Sequence, residues 1–366
     1  MLRIGITGAN GFLGWHLRCH LHGRSDVQVT SLGHDAFCSK DLLSQFVGNL
    51  DVLVHLAGVN RAPDDQLRAG NIEPARLLVA ACTDSGATPH IIFANSTQSE
   101  SNSVYGLSKL QAAQIFGEWS SSQGSRFTNM ILPHLYGECG KPFYNSVVST
   151  FCHQIAAGQA PKIIVDSELE LVHAQRASAD IVKCIESGAH GDRRLRGARI
   201  RVSEVLEKIR GMANQYAGHV IPSLSSQLDL DLFNTYRCYL FPTHYPASLE
   251  LRSDARGDLC EVVKSAHGGQ GFVSSTRPGI TRGNHYHRHK FERFLVLSGE
   301  AEIRIRRMLT QETVAFKVSG SNPVYIDMPA LHTHNITSIG TRDLLTLFWS
   351  NEIFDPDNPD TFVEIV

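Results

Sequence analysis

The chain has 366 residues, enough for two domains at roughly 150 residues apiece. Its 34 lysines and arginines against 36 aspartates and glutamates leave a formal charge of -2, so nothing electrostatic favours nucleic acid or an anionic membrane as partner; 42% hydrophobic and 19% charged residues are ordinary globular usage. No stretch approaches the ~18 consecutive apolar residues of a membrane helix, and residues 1–8 run straight into a strand-like segment instead of a signal peptide, so a soluble, cytoplasmic protein is expected.

Residues 2–7 read as a first strand, 27–32 as a second, 52–57 as a third and 91–95 as a fourth. Each is short, aliphatic and bounded by Gly, Asn or Asp, as expected of parallel strands buried beneath helices. Between them, 73–85 and 103–120 carry apolar residues at helical spacing, and the alternation predicts a doubly wound α/β sheet. From about residue 249 the texture changes to short runs broken by Gly and Pro, at 294–297, 301–305, 324–326 and 344–348, which is an all-β pattern. Residues 233–248, rich in aromatics and holding Pro242 and Pro246, read as the linker, giving domains 1–245 and 249–366. Eight cysteines include no C-x-x-C pair and read as buried, reduced thiols.

Directly after the first strand, Thr7-Gly8-Ala9-Asn10-Gly11-Phe12-Leu13-Gly14 forms a G-x-x-G-x-x-G turn opening a helix. Such glycines let backbone N–H groups approach a pyrophosphate at the positive end of the helix, although glycine turns between strand and helix also occur for purely structural reasons. A second feature adds weight. Tyr105 and Lys109 form a Y-x-x-x-K whose side chains share one helix face, and a lysine near the phenol favours phenolate, so that the tyrosine can pass a proton at neutral pH. Nine residues before Tyr105, Ser96 places a hydroxyl at a strand's C-terminal end, with Thr97 adjacent.

Together these residues resemble the extended short-chain dehydrogenase/reductase family, and residues 52–58 are similar to its strand beneath the cofactor, adding Leu56, Ala57 and Gly58 to the cofactor contacts. The resemblance implies that Ser96 orients a substrate carbonyl, Tyr105 exchanges the proton, and Lys109 tunes Tyr105 while holding the nicotinamide ribose. The second strand ends at Gly33-His34, where an NAD-preferring relative carries an acid for the ribose 2′-hydroxyl. NADP(H) is therefore expected, with Asp35 as the alternative carrier of that role. Arg61 is a candidate phosphate or substrate contact, or simply a solvated arginine.

Near the C-terminus, Gly279, His285, His287, Glu292 and Gly299 reproduce the spacing of the first motif of the cupin superfamily. Alternate histidines on a strand face one way, so both reach into a barrel. Residues 327–334 resemble the second motif and put its histidine at His334, but Leu331 stands where the motif has glycine and Ser338 where it has asparagine, which keeps His332 as a candidate. Three imidazoles and a carboxylate suit a divalent metal, zinc foremost, with iron, manganese or nickel as alternatives. A barrel that has lost its metal is the plainer reading, and His289 reads as exposed or outside the ligand set.

Residues 254–261 are similar to the opening strand of cupin-fold epimerases of nucleotide-linked 4-keto sugars. Residues 141–146, 279–287 and 351–356 resemble bifunctional capsular-polysaccharide and O-antigen enzymes that form UDP-2-acetamido-2,6-dideoxy-L-talose on the route to UDP-N-acetyl-L-fucosamine. The resemblance implies a Rossmann-type doubly wound sheet followed by a cupin barrel, a UDP-linked 4-keto sugar as substrate, NADP(H) and a divalent metal as cofactors, and a homodimer. It implies C3 epimerisation in the cupin and C4 reduction in the reductase, with Lys290, His332 and Tyr325 as suspects for the epimerising base. The rival reading is a reductase with a structural or sugar-sensing cupin.

Overall fold

The computed structural model describes residues 1–249, 251–254, 257–260, 263–265, 268–352 and 355–366. In chain order the elements are β1 (Leu2–Thr7), α1 (Phe12–Leu21), β2 (Val27–Leu32), α2 (Lys40–Val47), β3 (Val52–His55), α3 (Asp64–Ser85), β4 (His90–Ser96), α4 (Val104–Gln123), β5 (Phe127–Leu132), β6 (His134–Tyr136), α5 (Val147–Ala156), β7 (Glu168–His173), α6 (Ala174–Ser187), β8 (Gly191–Arg194), β9 (Ala198–Arg201), α7 (Val202–Ala217), β10 (Val220–Ile221) and α8 (Gln227–Leu240). Thereafter the chain is all strand: β11 (Ala247–Ser248), β12 (Leu251–Asp254), β13 (Gly257–Cys260), β14 (Lys264–Ser265), β15 (Gln270–Thr276), β16 (Thr281–Tyr286), β17 (Glu292–Ser298), β18 (Glu300–Arg307), β19 (Thr313–Ser319), β20 (Val324–Met328), β21 (His332–Ser338), β22 (Leu344–Ser350) and β23 (Phe362–Val363).

Contacts divide the chain into two compact units. The first is Met1–Tyr136, Phe143–Ser146 and Ser167–Arg201; the second is Gly137–Pro142, Val147–Asp166 and Val202–Val366. The first unit is a six-stranded parallel sheet of order β2-β1-β3-β4-β5-β8. Alternate residues of its strands feed two cores. Ile4, Ile6, Val54 and Ile92 join Leu17, Leu21, Ala177 and Ile181 on the face covered by α1 and α6, while Leu53, Ile91 and Phe93 join Leu43, Leu78 and Phe116 on the face covered by α2, α3 and α4. Burial on both faces is why these strands read as unbroken aliphatic runs. Strand β2 departs from that expectation: it is the sheet edge, and Gln28, Val29, Thr30 and Ser31 are exposed, because among the described residues no further strand pairs with it.

In the second unit, sheets β11-β20-β17-β22-β15 and β19-β18-β21-β16-β23 share one core. Phe294, Ile326, Met328 and Phe348 of the first sheet pack against Ala301, Ile303, Ile305, Val318 and Ile336 of the second. The chain is thus a Rossmann-type α/β sheet followed by a sheet-rich C-terminal part.

The reading of 233–248 as a linker is corrected. Its first half belongs to α8, capped by Ser226, whose hydroxyl accepts from the Asp229 N–H at 3.1 Å. Leu232, Phe233, Tyr236 and Leu240 are buried, and Phe233 meets Phe291 edge-on at 5.6 Å. The aromatics signal packing, not solvent. The reading of the cysteines as uniformly buried is corrected as well: Cys38 is exposed and Cys139 and Cys238 are partly so, while Cys19, Cys82, Cys152 and Cys184 are buried thiols outside any disulfide. Residues 255, 256 and 261 of the segment 254–261, and residues 353 and 354 of 351–356, lie outside the described residues.

Candidate functional site

The strand order reverses between β1 and β3, and the crevice beyond the carboxyl ends of those strands is where an open α/β sheet admits a ligand. The loop after β1 fits a dinucleotide there. Gly8 has φ 68°, and a Cβ on it would stand 2.6 Å from the Ala57 nitrogen and 2.8 Å from the Leu56 carbonyl carbon. A Cβ on Gly14 would meet the Gly8 carbonyl oxygen at 2.2 Å. Helix α1 begins after Gly11, with no side chain capping it, so its first amides are open to an anion. Asn10 and Gly11 are exposed, with Asn10 Oδ1 accepting from Arg18 at 3.0 Å; Phe12 and Leu13 are half-buried, Leu13 against the sheet core. Residues 56–58 are tied to β1: the Leu56 N–H donates to the Thr7 carbonyl at 3.1 Å and the Ala57 N–H to Thr7 Oγ1 at 3.4 Å. At the end of β2, nothing lies within 4 Å of the Cβ position of Gly33, and His34 and Asp35 are exposed.

Helix α4 opens on Ser103, whose hydroxyl accepts from the Gly106 N–H at 3.0 Å. Two residues on, Tyr105 lies near enough to Ser96, at the carboxyl end of β4, for the serine hydroxyl to lower its pKa. Lys109 is buried, its Nζ 4.1 Å from the centroid of Phe93 and 3.8 Å from the position a Cβ on Gly58 would take. The geometry therefore brings together Ser96, Tyr105, Lys109 and the Gly58 loop. Their electrostatics correct the phenolate expectation. Burial raises the Tyr105 pKa, the nearby Ser96 hydroxyl works against that, and Tyr144 adds to the rise. Burial meanwhile brings the Lys109 ammonium down to about 7. Tyr105 is held as a neutral phenol, an acid ready to give its proton.

Two residues of this site escaped the sequence reading. Asn71 is buried and its Nδ2 donates to the carbonyls of Val59 (2.7 Å) and Leu67 (2.8 Å) and to Ser108 Oγ (3.1 Å), while its Oδ1 accepts from the Val59 N–H at 3.1 Å. It pins the Gly58 loop to α3 and α4. The signal was present: Asn71 interrupts the apolar stripe Leu67, Ala75, Leu78 of α3. Tyr144, near enough to influence Tyr105, comes from residues 143–146, whose Phe143 carbonyl accepts from Arg61 at 3.3 Å. Arg61 itself is exposed.

In the second unit, His285, His287, Glu292 and His334 offer ligand atoms within 4.8 Å of one another. Strand β16 delivers His285 and ends just before His287, Glu292 opens β17, and His334 lies on β21 paired with His285. Three Nε2 atoms converge on Glu292 Oε2, at 3.1 Å from His287, 3.3 Å from His334 and 4.0 Å from His285. The Nδ1 of His287 faces the Asp360 carbonyl at 2.7 Å and that of His334 the His332 carbonyl at 3.2 Å, so each Nδ1 carries the proton. Each Nε2 then turns a lone pair toward an anionic oxygen, an arrangement that a cation satisfies and that suits a divalent metal. Burial holds His334 neutral, down to about 4.

His332 is outside the group: its Nδ1 is 3.0 Å from the Ala330 carbonyl, its ring meets Phe241 edge-on at 5.1 Å, and burial likewise takes it to about 4. His289 is also outside and half-buried. Lys290 Nζ donates to the Pro359 carbonyl and Thr361 Oγ1, both at 3.1 Å; the Tyr325 hydroxyl is 3.1 Å from His219 Nδ1, with the Arg293 guanidinium 3.7 Å from its ring. A cavity of about 210 Å³ adjoins the cluster, lined by Gln270, Phe272, Lys290, Glu292, Ser350 and Glu352.

Comparison with known proteins bears on both sites. Residues 4–190 match the NAD dependent epimerase/dehydratase family, and residues 252–362 match the polysaccharide biosynthesis C-terminal domain. The chain is 31% identical over 366 residues to UDP-2-acetamido-2,6-beta-L-arabino-hexul-4-ose reductase of Pseudomonas aeruginosa, covering 99% of this chain and 98% of that protein. It is 25% identical over 118 residues to the spore coat polysaccharide biosynthesis protein SpsL of Bacillus subtilis, covering 30% of this chain and 78% of that one. Among solved structures it is similar to the capsular polysaccharide assembling protein CapF from Staphylococcus aureus, with 32% identity, a TM-score of 0.64, and 99% and 100% of the two chains covered. The chain therefore belongs to the NAD dependent epimerase/dehydratase family and carries beyond it a polysaccharide biosynthesis C-terminal domain.

Proposed function

We propose that the protein is a cytoplasmic, homodimeric, bifunctional nucleotide-sugar enzyme. Its C-terminal part, a cupin, epimerises C3 of a UDP-4-keto-6-deoxy-N-acetylhexosamine, and its N-terminal part reduces the C4 ketone to give UDP-2-acetamido-2,6-dideoxy-L-talose, a precursor of UDP-N-acetyl-L-fucosamine. The observation that carries this reading is the whole-length likeness to a UDP-hexulose reductase in a chain that holds both a neighbouring Ser96, Tyr105 and Lys109 set and a His285–His287–Glu292–His334 cluster.

Bound NADPH supplies hydride to C4. Tyr105, a neutral phenol, gives its proton to the C4 oxygen; Ser96 hydrogen-bonds to that oxygen and orients the carbonyl; Lys109, buried beside the Gly58 loop, holds the nicotinamide ribose and lends positive charge as Tyr105 loses its proton. Gly8, Asn10, Gly11, Phe12, Leu13 and Gly14 would cradle the pyrophosphate, Leu56, Ala57 and Gly58 would line the cofactor, and at Gly33, beside the exposed His34, there is room for a 2′-phosphate.

His285, His287, Glu292 and His334 would hold a divalent metal, zinc foremost, which supplies a Lewis acid to the second site. The 4-keto group acidifies the C3 proton, and removing it from one face and returning one to the other inverts C3. Incubation with the 4-keto substrate in D2O, with and without NADPH, tests this by NMR. Deuterium enters C3 without NADPH, and the L-talo product appears with it. Reduction with no C3 exchange would leave the alternative, a reductase with a non-catalytic cupin.

A further inference from the structure

The C-terminal segment 359–365 lies along the strand that carries the histidines. Phe362 and Val363 of β23 pair with Tyr286 and His285 of β16, and the Glu364 N–H donates to the Asn284 carbonyl at 2.9 Å. Within this segment Asp360 has φ 41°, a conformation that non-glycine residues seldom hold unless their surroundings impose it. Four hydrogen bonds impose it here. The carboxylate accepts the N–H groups of Arg288 (3.1 Å), His289 (2.8 Å) and Lys290 (2.7 Å), and the carbonyl accepts from His287 Nδ1 at 2.7 Å. On either side, Lys290 Nζ donates to the Pro359 carbonyl and to Thr361 Oγ1.

We propose that Asp360 is a positioning residue of the His285–His287–Glu292–His334 cluster, a role that rests on the metal reading above. Its carboxylate gathers the three amides that follow His287, and its carbonyl, turned inward by the left-handed backbone, keeps the proton of that imidazole on Nδ1 and aims Nε2 at the cation. A partner behind a ligating imidazole typically controls metal affinity by 10- to 100-fold. A backbone carbonyl can do this only if something holds its residue in place, and the side chain of the same residue does so. The positive φ is the means by which one residue presents both groups to one loop.

The test uses the full chain, stripped with a chelator and titrated with Co2+ as an absorbing probe, together with NMR of the metal-free protein labelled with 15N-histidine. Asp360→Gly tolerates the backbone conformation and lacks the carboxylate. It weakens Co2+ binding by about 10- to 100-fold, alters the Co2+ absorption bands, and loses the hydrogen-bonded Nδ1–H resonance of His287. Asp360→Asn, which keeps one acceptor oxygen, lies between Asp360→Gly and the parent. A merely structural role would lower the melting temperature of the metal-free protein with affinity and bands unchanged, and that result overturns the proposal, as does an Nδ1–H resonance that persists in Asp360→Gly. If Asp360→Gly does not fold, Asp360→Asn equal to the parent in both readouts overturns it. If the parent binds no Co2+, the metal reading has failed on its own account, and the resonance alone decides whether Asp360 positions His287.

Discussion

Alanine placed at Gly8 and at Gly33 makes the same chemical change at two ends of the proposed cofactor site, with opposite expected outcomes. At Gly8 the added Cβ would lie 2.6 to 2.8 Å from the backbone of Leu56 and Ala57, in a residue with φ 68°. The left-handed conformation costs an L-residue about 1–2 kcal/mol. Overpacking against backbone, which cannot rotate away as a side chain can, adds about 1–3 kcal/mol. The sum, about 2–5 kcal/mol, corresponds to a fall of about 4–20 °C in the unfolding transition of the N-terminal unit, at 2–4 °C per kcal/mol for a body of this size. The alternative to unfolding is separation of the two loops, which spoils the pyrophosphate cradle, so NADPH binding weakens too. At Gly33 nothing lies within 4 Å of the new methyl and φ is -76°, so stability stays within about 0.5 kcal/mol. Scanning calorimetry and fluorescence titration with NADPH read both variants. Equal melting shifts, or Gly8→Ala with parental stability and affinity, would refute the close-approach argument.

Tyr105→Phe removes the neutral phenol beside Ser96 and lowers NADPH oxidation by about 10²- to 10⁴-fold, with metal content by elemental analysis unchanged. Gly33→Asp sets a carboxylate where a 2′-phosphate would sit and reverses the ratio of kcat/KM for NADPH over NADH; equal use of both by the parent would return the role to Asp35. His334→Ala strips most of the metal at neutral pH, whereas His332→Ala, outside the cluster, keeps it; the reverse pattern would move the ligand by two residues. Buried His55, hydrogen-bonded to Thr7 Oγ1 at 2.7 Å, has its pKa lowered by burial and then by Lys109 to about 3, below the unfolded value of about 6.5. Its share of stability is therefore intact above pH 6.5 and lost as pH falls toward 3, about 2 kcal/mol by pH 5, and denaturation of His55→Gln between pH 7 and 5 should show a correspondingly shallower loss.

What was legible in the sequence is what is local. Short aliphatic runs between helical stretches dictate a parallel sheet, because strands covered on both faces leave no polar alternation, and the glycines after β1 mark a turn that their backbone geometry requires. Spacing of four residues on α4 puts Tyr105 and Lys109 on one face without any tertiary information. Local pattern misled where a neighbour decides the outcome: β2 looks like the other strands but is exposed as the edge of its sheet, and 233–248 looks like a linker but its first half is a buried helix because aromatics and Phe291 pack together. Only tertiary structure could choose between His332 and His334, two residues apart on one strand, since the choice depends on which ring shares space with Glu292, 42 positions away. It also set the expected phenolate of Tyr105 aside, because burial, with Tyr144 adding to it, raises the phenol more than Ser96 lowers it. Asp360 became visible only when the chain end folded back on His287, for a hydrogen bond between residues 73 positions apart leaves no trace in spacing or composition.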